Sequence, residues 1–176
     1  MLNKQIFFQI GRVAILMVLV NNAIANKIVS MVEFFSFKCA HCASVNMKLN
    51  QYVATNKIKY LDINIDPEAF NTMIMYYIAI DSGVGVEFKN TYFKAVSEGM
   101  VAYSSSTLSY VAGLVQNSAM KRLLRLPEER QKIKLKMNYA QEMLDKYKVR
   151  ATPTFLINQT TLIEGEDVIN SLIEAN

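Results

Sequence analysis

The sequence predicts an α/β protein with a four-stranded sheet and an inserted block of helices. Short apolar, β-branched segments near residues 30, 60, 155 and 162 predict the four strands. About sixty residues of helical pattern separate the second of these segments from the C-terminal part of the chain, which contains the other two. The length of 176 residues fits one domain with an insertion and is too short for two ordinary domains. Hydrophobic residues make up 52% and charged residues 19%, which excludes a disordered or fibrous chain.

The N-terminal segment, residues 1–25, has the pattern of a secretory signal peptide. It contains Lys4 and Arg12 but no acidic residue, and Val13–Val20 is an unbroken apolar run. A small-x-small pattern ends at Ala25, which predicts cleavage after this residue. An uncleaved membrane anchor is the alternative, but a membrane span needs about 20 apolar residues and Arg12 interrupts that length.

Cleavage would leave a chain with little net charge in an oxidising compartment, where disulfides persist. It removes 25 of the 176 residues and lowers the formal charge from +4 to +2, because Lys4 and Arg12 are lost. A net charge this small predicts no nucleic-acid or other polyanionic partner. Because the whole chain has two cysteines and one histidine, we also expect no metal site and no other cofactor.

The N-terminal half of the predicted domain, residues 26–65, has the order strand, helix, strand. Ile28–Phe35 is a nearly continuous apolar and β-branched run, as in a central strand that is buried on both faces. A helix is predicted from Cys39 to about Tyr52, and Ile58–Ile65 predicts a second strand. This order predicts a parallel pair of strands with a right-handed crossover.

The helical pattern of residues 66–126 predicts an inserted domain. Asp66 is expected to cap its first helix, with Pro67 in the first turn. The pattern is interrupted at three glycines and one polar stretch, namely Gly83, Gly85, Gly99 and Ser104–Thr107. We therefore expect several helices between the two halves of the sheet.

Residues 127–176 predict the C-terminal half, in the order helix, strand, strand, helix. Glu128 and Glu129 stand at the positive end of a helix that runs to about Lys148. The hairpin and the last helix are predicted at Thr154–Asn158, Thr161–Glu164 and Asp167–Ala175. The two halves together supply the four strands of the predicted sheet.

Both cysteines of the chain lie in one C-x-x-C motif, directly after a predicted strand and at the start of a predicted helix. The free N–H groups and the dipole of a helix start favour the thiolate of Cys39. Cys42 is close enough in sequence to form a disulfide with it. His41 adds a hydrogen-bond donor or a positive charge near the Cys39 sulfur. These residues favour a redox-active pair.

Three other interpretations of the cysteine pair stay open. A structural disulfide would close a four-residue loop and remove only about 2 kcal/mol of unfolded-chain entropy. A structural zinc usually has four Cys or His ligands, whereas the chain offers three. The pair could also be idle, without a chemical role.

Two motifs carry a resemblance to a known family. Val32–Cys42 (VEFFSFKCAHC) resembles the active-site segment of the DsbA family of periplasmic thiol:disulfide oxidoreductases. Ala151–Phe155 (ATPTF) resembles the cis-proline loop of the same thioredoxin-fold families, and the long helical insertion is also similar to that of DsbA. The resemblance spans residues 28–176. It implies a thioredoxin fold with a four-stranded mixed sheet of order 2-1-3-4, without the extra edge strand of many relatives.

The resemblance assigns roles to the matching residues. It implies that Cys39 is the exposed nucleophile and that Cys42 is the shielded resolving cysteine. Pro153 would follow a cis peptide bond and face the pair. Thr152 would dock an extended substrate peptide through its backbone. The expected substrate-binding residues are Ala40, Thr152 and Pro153.

The resemblance also implies a buried acid beneath the cysteines. Glu33 matches this acid, and burial would raise its pKa, which suits a group that transfers protons. Lys59 aligns with the basic partner of the acid. The expected catalytic residues are Cys39, Cys42, His41, Glu33 and Pro153.

Three functions fit this site. The leading hypothesis is an enzyme that oxidises dithiols in reduced or unfolded secreted proteins and is reoxidised by a membrane partner of the DsbB type. The second is a reductase or isomerase, because Ala40 replaces the proline and Thr152 the valine that are common in oxidising members. The third is a binding or chaperone module with idle cysteines. We expect a monomer in the periplasm.

Overall fold

The computed structural model describes residues 28–123, 125–167 and 170. The strands are β1 (Ser30–Phe35), β2 (Lys59–Asn64), β3 (Thr154–Ile157) and β4 (Thr161–Glu164). The helices are α1 (Ala40–Asn56), α2 (Phe70–Asp81), α3 (Gly85–Ser97), α4 (Ser105–Val115), α5 (Ser118–Leu123) and α6 (Pro127–Tyr147), and a 3-10 turn spans Pro67–Ala69. The predicted signal peptide lies outside the described residues, and so does most of the last predicted helix. Among the described helices, none is long and apolar enough to cross a membrane.

The four strands form one mixed sheet in the order β2-β1-β3-β4. β1 runs parallel to β2 and antiparallel to β3, and β3 forms an antiparallel hairpin with β4. The predicted order 2-1-3-4 is therefore confirmed. In this register, Glu33 of β1 pairs with Asp62 of β2 and with Phe155 of β3. Paired residues project from the same face of a sheet, so the two carboxylates lie side by side.

Strand β1 is buried on both faces, as its continuous apolar sequence predicts. On one face, Met31 packs with Val45 and Leu49 of α1. On the other face, Val32 and Phe34 pack with residues of α6. The sheet therefore lies between these two helices, and β1 leads directly into the cysteine motif at the start of α1.

Helices α2–α5 form the inserted helical region, which packs on the C-terminal end of β1 through aromatic side chains. The ring centroids of Phe37 and Tyr92 are 4.2 Å apart, and those of Phe35 and Phe37 are 5.0 Å apart. Such pairs contribute about 0.5–1.5 kcal/mol each beyond the area they bury. Cys42 belongs to the same buried cluster. The insertion and the cysteine motif thus share one hydrophobic core.

Two details at the ends of helices differ from the sequence-based expectation. Helix α1 continues past its predicted end to Asn56, where Lys57 adopts a left-handed conformation with φ 53° and ends it. Asp66 does not cap a helix through its side chain. Its carboxylate instead accepts hydrogen bonds from the hydroxyl groups of Ser36 and Tyr103. The Asp66 carboxylate therefore binds donors that are distant in sequence and not the backbone N–H groups of the turn that follows it.

Candidate active site

Cys39 and Cys42 lie at the N-terminus of α1 and differ in exposure. Cys39 is the N-cap residue, and its Sγ accepts a hydrogen bond from the Cys42 N–H at 3.1 Å. Both residues are free thiols; Cys39 is partly exposed, whereas Cys42 is fully buried. A thiol arriving from solvent therefore meets Cys39 and not Cys42.

The surroundings separate the pKa values of the two thiols. The hydrogen bond from the Cys42 side chain is the main cause that lowers the pKa of Cys39 to about 6. Hydrogen bonds from Thr152 and from the backbone N–H groups at the helix start act in the same direction. The hydrogen bond to Cys39, followed by burial, raises the pKa of Cys42 far above that of a free thiol. At neutral pH the pair therefore consists of an accessible thiolate and a shielded thiol.

The loop before β3 brings Thr152 against Cys39. The Thr152–Pro153 peptide bond is cis, as the resemblance implies. In its thiol form, Cys39 donates a hydrogen bond to the Thr152 carbonyl at 3.4 Å, across 113 positions of sequence. The Thr154 hydroxyl fixes the loop by donating to the Ala151 carbonyl at 2.8 Å. The two predicted motifs therefore meet at one sulfur atom.

His41 and Ala40 lie on the exposed side of the motif. The His41 side chain is 70% exposed, and its Nδ1 is 3.0 Å from Oε2 of Glu166. Ser44 donates to the same carboxylate oxygen at 2.5 Å. The Ser44 hydrogen bond, followed by the contact with His41, lowers the pKa of Glu166. A carboxylate therefore stands beside the single histidine of the chain.

Glu33 is fully buried on β1, on the face that also carries Met31 and α1. Its Oε2 accepts hydrogen bonds from Lys89 Nζ at 2.6 Å and from the Tyr60 hydroxyl, whereas its Oε1 is buried without a partner. Burial is the main cause that raises the pKa of Glu33 to about 7, even though Lys89 acts in the opposite direction. The negative charge of Glu33 in turn contributes to the raised pKa of Cys42.

Asp62 is a second buried carboxylate beside Glu33. It accepts hydrogen bonds from Lys89 Nζ and from the Tyr76 hydroxyl, each at 2.5 Å, and shares the proton of the Tyr60 hydroxyl, 2.9 Å away, with Glu33. Burial alone would raise the pKa of Asp62, but the Lys89 ammonium and the hydrogen bonds from Lys89, Tyr76 and Glu33 hold it below its usual range. We call Glu33, Asp62 and Lys89 the floor cluster.

The prediction that Lys59 is the basic partner of Glu33 was wrong. Lys59 is exposed at the start of β2 and pairs in register with Ser30. It stands three residues before Asp62, and an odd offset along a strand places its side chain on the opposite face of the sheet. Lys89 of α3 takes this place, because the insertion lays its ammonium over the Phe35 ring, 4.3 Å from the centroid.

The family model described as "Thioredoxin" matches residues 25–175. The chain belongs to the thioredoxin family. A comparison with curated protein sequences finds no match. Within this family, the paired motifs described above, C-x-x-C at a helix start and a cis-proline opposite it, form the candidate active site.

Several solved structures are similar to this thioredoxin-family chain. DsbA from Xylella fastidiosa is 20% identical, with a TM-score of 0.61 over 86% of this chain and 87% of that chain. A DsbA variant from Pseudomonas aeruginosa is 18% identical, with a TM-score of 0.65 over 85% and 87%. The thiol-disulfide exchange protein alpha-DsbA2 from Wolbachia pipientis is 16% identical, with a TM-score of 0.59 over 85% and 82%. These likenesses confirm the thioredoxin fold with a helical insertion, as in DsbA proteins.

Tyr103, in the inserted region of this thioredoxin fold, supports the loop that carries Cys39. Its hydroxyl accepts a hydrogen bond from the Phe37 N–H at 3.0 Å and donates one to Asp66 at 2.5 Å. Asn64 at the end of β2 donates to the same hydroxyl at 3.0 Å. Burial, followed by the hydrogen bond to Asp66, raises the pKa of Tyr103. The insertion therefore fixes the backbone directly before the nucleophile.

Four residues of this site were not predicted from the sequence: Asp62, Lys89, Tyr103 and Glu166. For Lys89 a signal existed, since it stands three and four residues before Tyr92 and Phe93, on what must be the apolar face of its helix. Asp62 stands between Leu61 and Ile63 in β2, and a charged residue between two apolar ones was a second signal. For Glu166 the sequence carries no signal, because its contact with His41 depends on the turn after β4.

Proposed function

We propose that this protein is a thiol:disulfide oxidoreductase that oxidises dithiols in secreted proteins by donating a Cys39–Cys42 disulfide. The observation that carries this proposal is the asymmetry of the pair at the start of α1. Cys39 is accessible and its pKa is lowered to about 6, whereas Cys42 is buried and its pKa is raised. One sulfur is thus suited to exchange with a substrate and the other to resolve the product.

The reaction follows from this asymmetry. A substrate thiolate attacks Cys39 Sγ of the disulfide, the S–S bond breaks, and the electron pair moves to Cys42, which takes up a proton. A second substrate thiolate then attacks the substrate sulfur of the mixed disulfide and releases Cys39 as its thiolate. The substrate loses two electrons and the pair gains them. An oxidised membrane partner of the DsbB type would restore the disulfide.

The direction of electron flow follows from the stability of the reduced form. Hydrogen bonds from Cys42, Thr152 and the helix start stabilise the Cys39 thiolate, which exists only when the pair is reduced. Stabilising the reduced form makes the disulfide a stronger oxidant, since both are linked in one equilibrium. The stabilised Cys39 thiolate therefore favours donation of the disulfide to substrates over reduction of substrate disulfides.

Glu33 is the proposed proton donor and acceptor for Cys42. The leaving Cys42 sulfur is buried, so its proton has to come from a buried group. Glu33 has a pKa raised to about 7 and a free, buried Oε1, and its charge acts on Cys42. We place Ala40, Thr152 and Pro153 in contact with substrate, with the Thr152 backbone as the docking edge.

The test is the reduction potential of residues 26–176, the proposed secreted form, measured by equilibration with glutathione buffers and thiol trapping. A value well above the glutathione poise supports disulfide donation. A value near or below about −220 mV would contradict it and support the reductase or isomerase, which Ala40 and Thr152 favour. The redox state in cells separates these two functions as well, because an oxidase is mostly disulfide and a reductase mostly dithiol.

The proposed setting is the periplasm, reached by the N-terminal segment with cleavage after Ala25, where the protein acts as a monomer. A binding or chaperone module remains the third function. A double Cys39→Ala, Cys42→Ala variant separates it from the enzymes, because a chaperone would keep its biological activity without either thiol.

A further inference from the structure

The floor cluster contains one positive and two negative side chains, which come from three elements. Glu33 belongs to β1, Asp62 to β2 and Lys89 to α3 of the inserted region. Their side chains are 0%, 5% and 1% exposed, respectively. Lys89 Nζ lies 2.6 Å from Glu33 Oε2 and 2.5 Å from Asp62 Oδ1, so one ammonium serves both carboxylates.

The charge of this cluster does not balance when both carboxylates are ionised. Among the described residues, the other groups that face it are uncharged at neutral pH: the hydroxyls of Tyr60 on β2 and of Tyr76 and Tyr77 on α2, and the Cys42 thiol on α1. Burial, with the neighbouring carboxylates, keeps the pKa of these phenols above the usual range. An uncompensated buried charge is strongly unfavourable. The cluster is balanced when it holds one additional proton.

The hydrogen bonds indicate which carboxylate holds this proton. Both oxygens of Asp62 accept hydrogen bonds, Oδ1 from Lys89 and Oδ2 from Tyr76. In Glu33 only Oε2 accepts, and Oε1 is buried without a partner. A carboxylate that is fully hydrogen-bonded stays ionised, and the one with a free oxygen takes the proton. The extra proton therefore belongs on Glu33.

We propose that Asp62 and Lys89 are positioning residues that set the protonation of Glu33, so that the inserted region controls the proton available to Cys42. When Cys42 leaves as a thiolate, the proton moves from the Glu33 carboxyl group to Cys42 Sγ, and the new carboxylate keeps Lys89 as its counterion. Oxidation of the pair returns the proton to Glu33. The two positioning residues act in opposite directions, since Asp62 retains the proton and Lys89 favours its release. This inference rests on the proposed thiol exchange.

The experiment is a pH titration of the Glu33 carboxyl carbon by carbon-13 NMR in the oxidised protein, with Glu33→Gln to assign the signal. Asp62→Asn removes the competing carboxylate, and we expect the midpoint to fall by at least about one pH unit. Lys89→Met removes the cation, and we expect the midpoint to rise by a similar amount. If Asp62 and Lys89 served only the packing of the fold, their replacement would not shift the titration midpoint of Glu33 in opposite directions.

A double variant keeps the test decisive if Lys89→Met fails to fold. Asp62→Asn with Lys89→Met removes one charge of each sign, and its Glu33 midpoint must lie above that of Asp62→Asn alone. Equal midpoints, shifts in the same direction, or a titration of Asp62 in place of Glu33 would overturn the inference. The proposed function fails separately, if the wild-type protein does not exchange thiols with glutathione, and the titration is independent of that exchange.

Discussion

The mouth of the site, formed by Cys39, His41 and Glu166, and the floor cluster use charge in opposite ways. At the mouth, the His41 side chain is 70% exposed, so water and salt screen its contact with Glu166. In the floor cluster, the Lys89 side chain is 1% exposed between two carboxylates. Strong, buried charges therefore surround the proposed proton donor, whereas the charges beside the nucleophile are weak and exposed, and hydrogen bonds lower the pKa of Cys39 instead.

The largest expected effect comes from replacing the two cysteines, Cys39 at the mouth of the site and Cys42 beneath it. Cys39→Ser should reduce thiol exchange with a dithiol peptide to the uncatalysed rate, because the accessible thiolate is lost. Cys42→Ser cannot form the disulfide that is donated, but its Cys39 thiolate still attacks substrate disulfides, and no resolving thiol is left to release the adduct. This variant should therefore accumulate mixed disulfides, visible on non-reducing gels. Absence of these adducts in a protein whose wild type exchanges thiols would contradict the assigned roles.

In the floor cluster, Lys89→Met should lower the free energy of unfolding by about 3–5 kcal/mol, because two buried carboxylates lose the cation between them. Urea denaturation of the reduced protein at pH 7 measures the loss. The matched control is Lys94→Met on the same helix, where the side chain is 72% exposed and the change should stay within about 0.5 kcal/mol. An equal loss of unfolding free energy in both variants would contradict the expected difference between a buried and an exposed charge.

The stability of the protein should depend on pH through Glu33. Its pKa is raised to about 7 in the folded protein, mainly by burial, and is about 4.3 in an unfolded chain. The folded state therefore binds the proton more tightly, and this stabilisation is complete below about pH 4.3 and is lost as the pH rises through about 7. Glu33→Gln should remove this contribution. Urea denaturation from pH 4.5 to 8 should show a smaller loss with rising pH than in wild type; parallel curves would contradict the raised pKa.

Tyr103→Phe should destabilise the protein by about 1–2 kcal/mol, because the Phe37 N–H, Asp66 and Asn64 lose a shared hydroxyl partner. Thermal or urea unfolding measures this effect. Tyr110→Phe is the control, since the Tyr110 side chain is exposed on α4 and no hydrogen bond of the fold is expected to depend on it. A loss as large in the control would mean that the Tyr103 hydroxyl does not support the loop.

The smallest effect belongs to the mouth. Glu166→Gln removes a negative charge beside His41 of the cysteine motif, so the midpoint of Cys39 alkylation against pH should fall by less than about half a pH unit. The shift should shrink further at high salt. Glu164→Gln, at the exposed end of β4, is the matched control. A rise of the midpoint would contradict this direct effect of the Glu166 charge.

Local sequence patterns were sufficient to predict most of the sheet. The apolar run of β1 and the hairpin of β3 and β4 carry their information within a few residues, and so does the helix that starts after Cys39. The order of the strands came from the resemblance to DsbA. Cys39, Cys42 and Pro153 could be identified because each lies in a short motif.

The floor cluster could not be predicted from the sequence in the same way. Its members come from two strands and from a helix of the insertion, so their contact depends on how the insertion docks on the sheet. The resemblance to DsbA predicted Lys59 as the basic partner, but it carries no information about the face of the strand on which Lys59 lies. Glu166 meets His41 only through the turn at Gly165, whose φ of 93° favours glycine.

The position of Lys89 also has a consequence for domain motion. A hinge movement that carried α3 away from the sheet would separate the ammonium from both carboxylates at once. The energetic penalty of such an opening is largest when Glu33 is ionised and smaller when it is protonated. The inserted region and the sheet should therefore move as one rigid body after proton transfer to Cys42, and more freely before it.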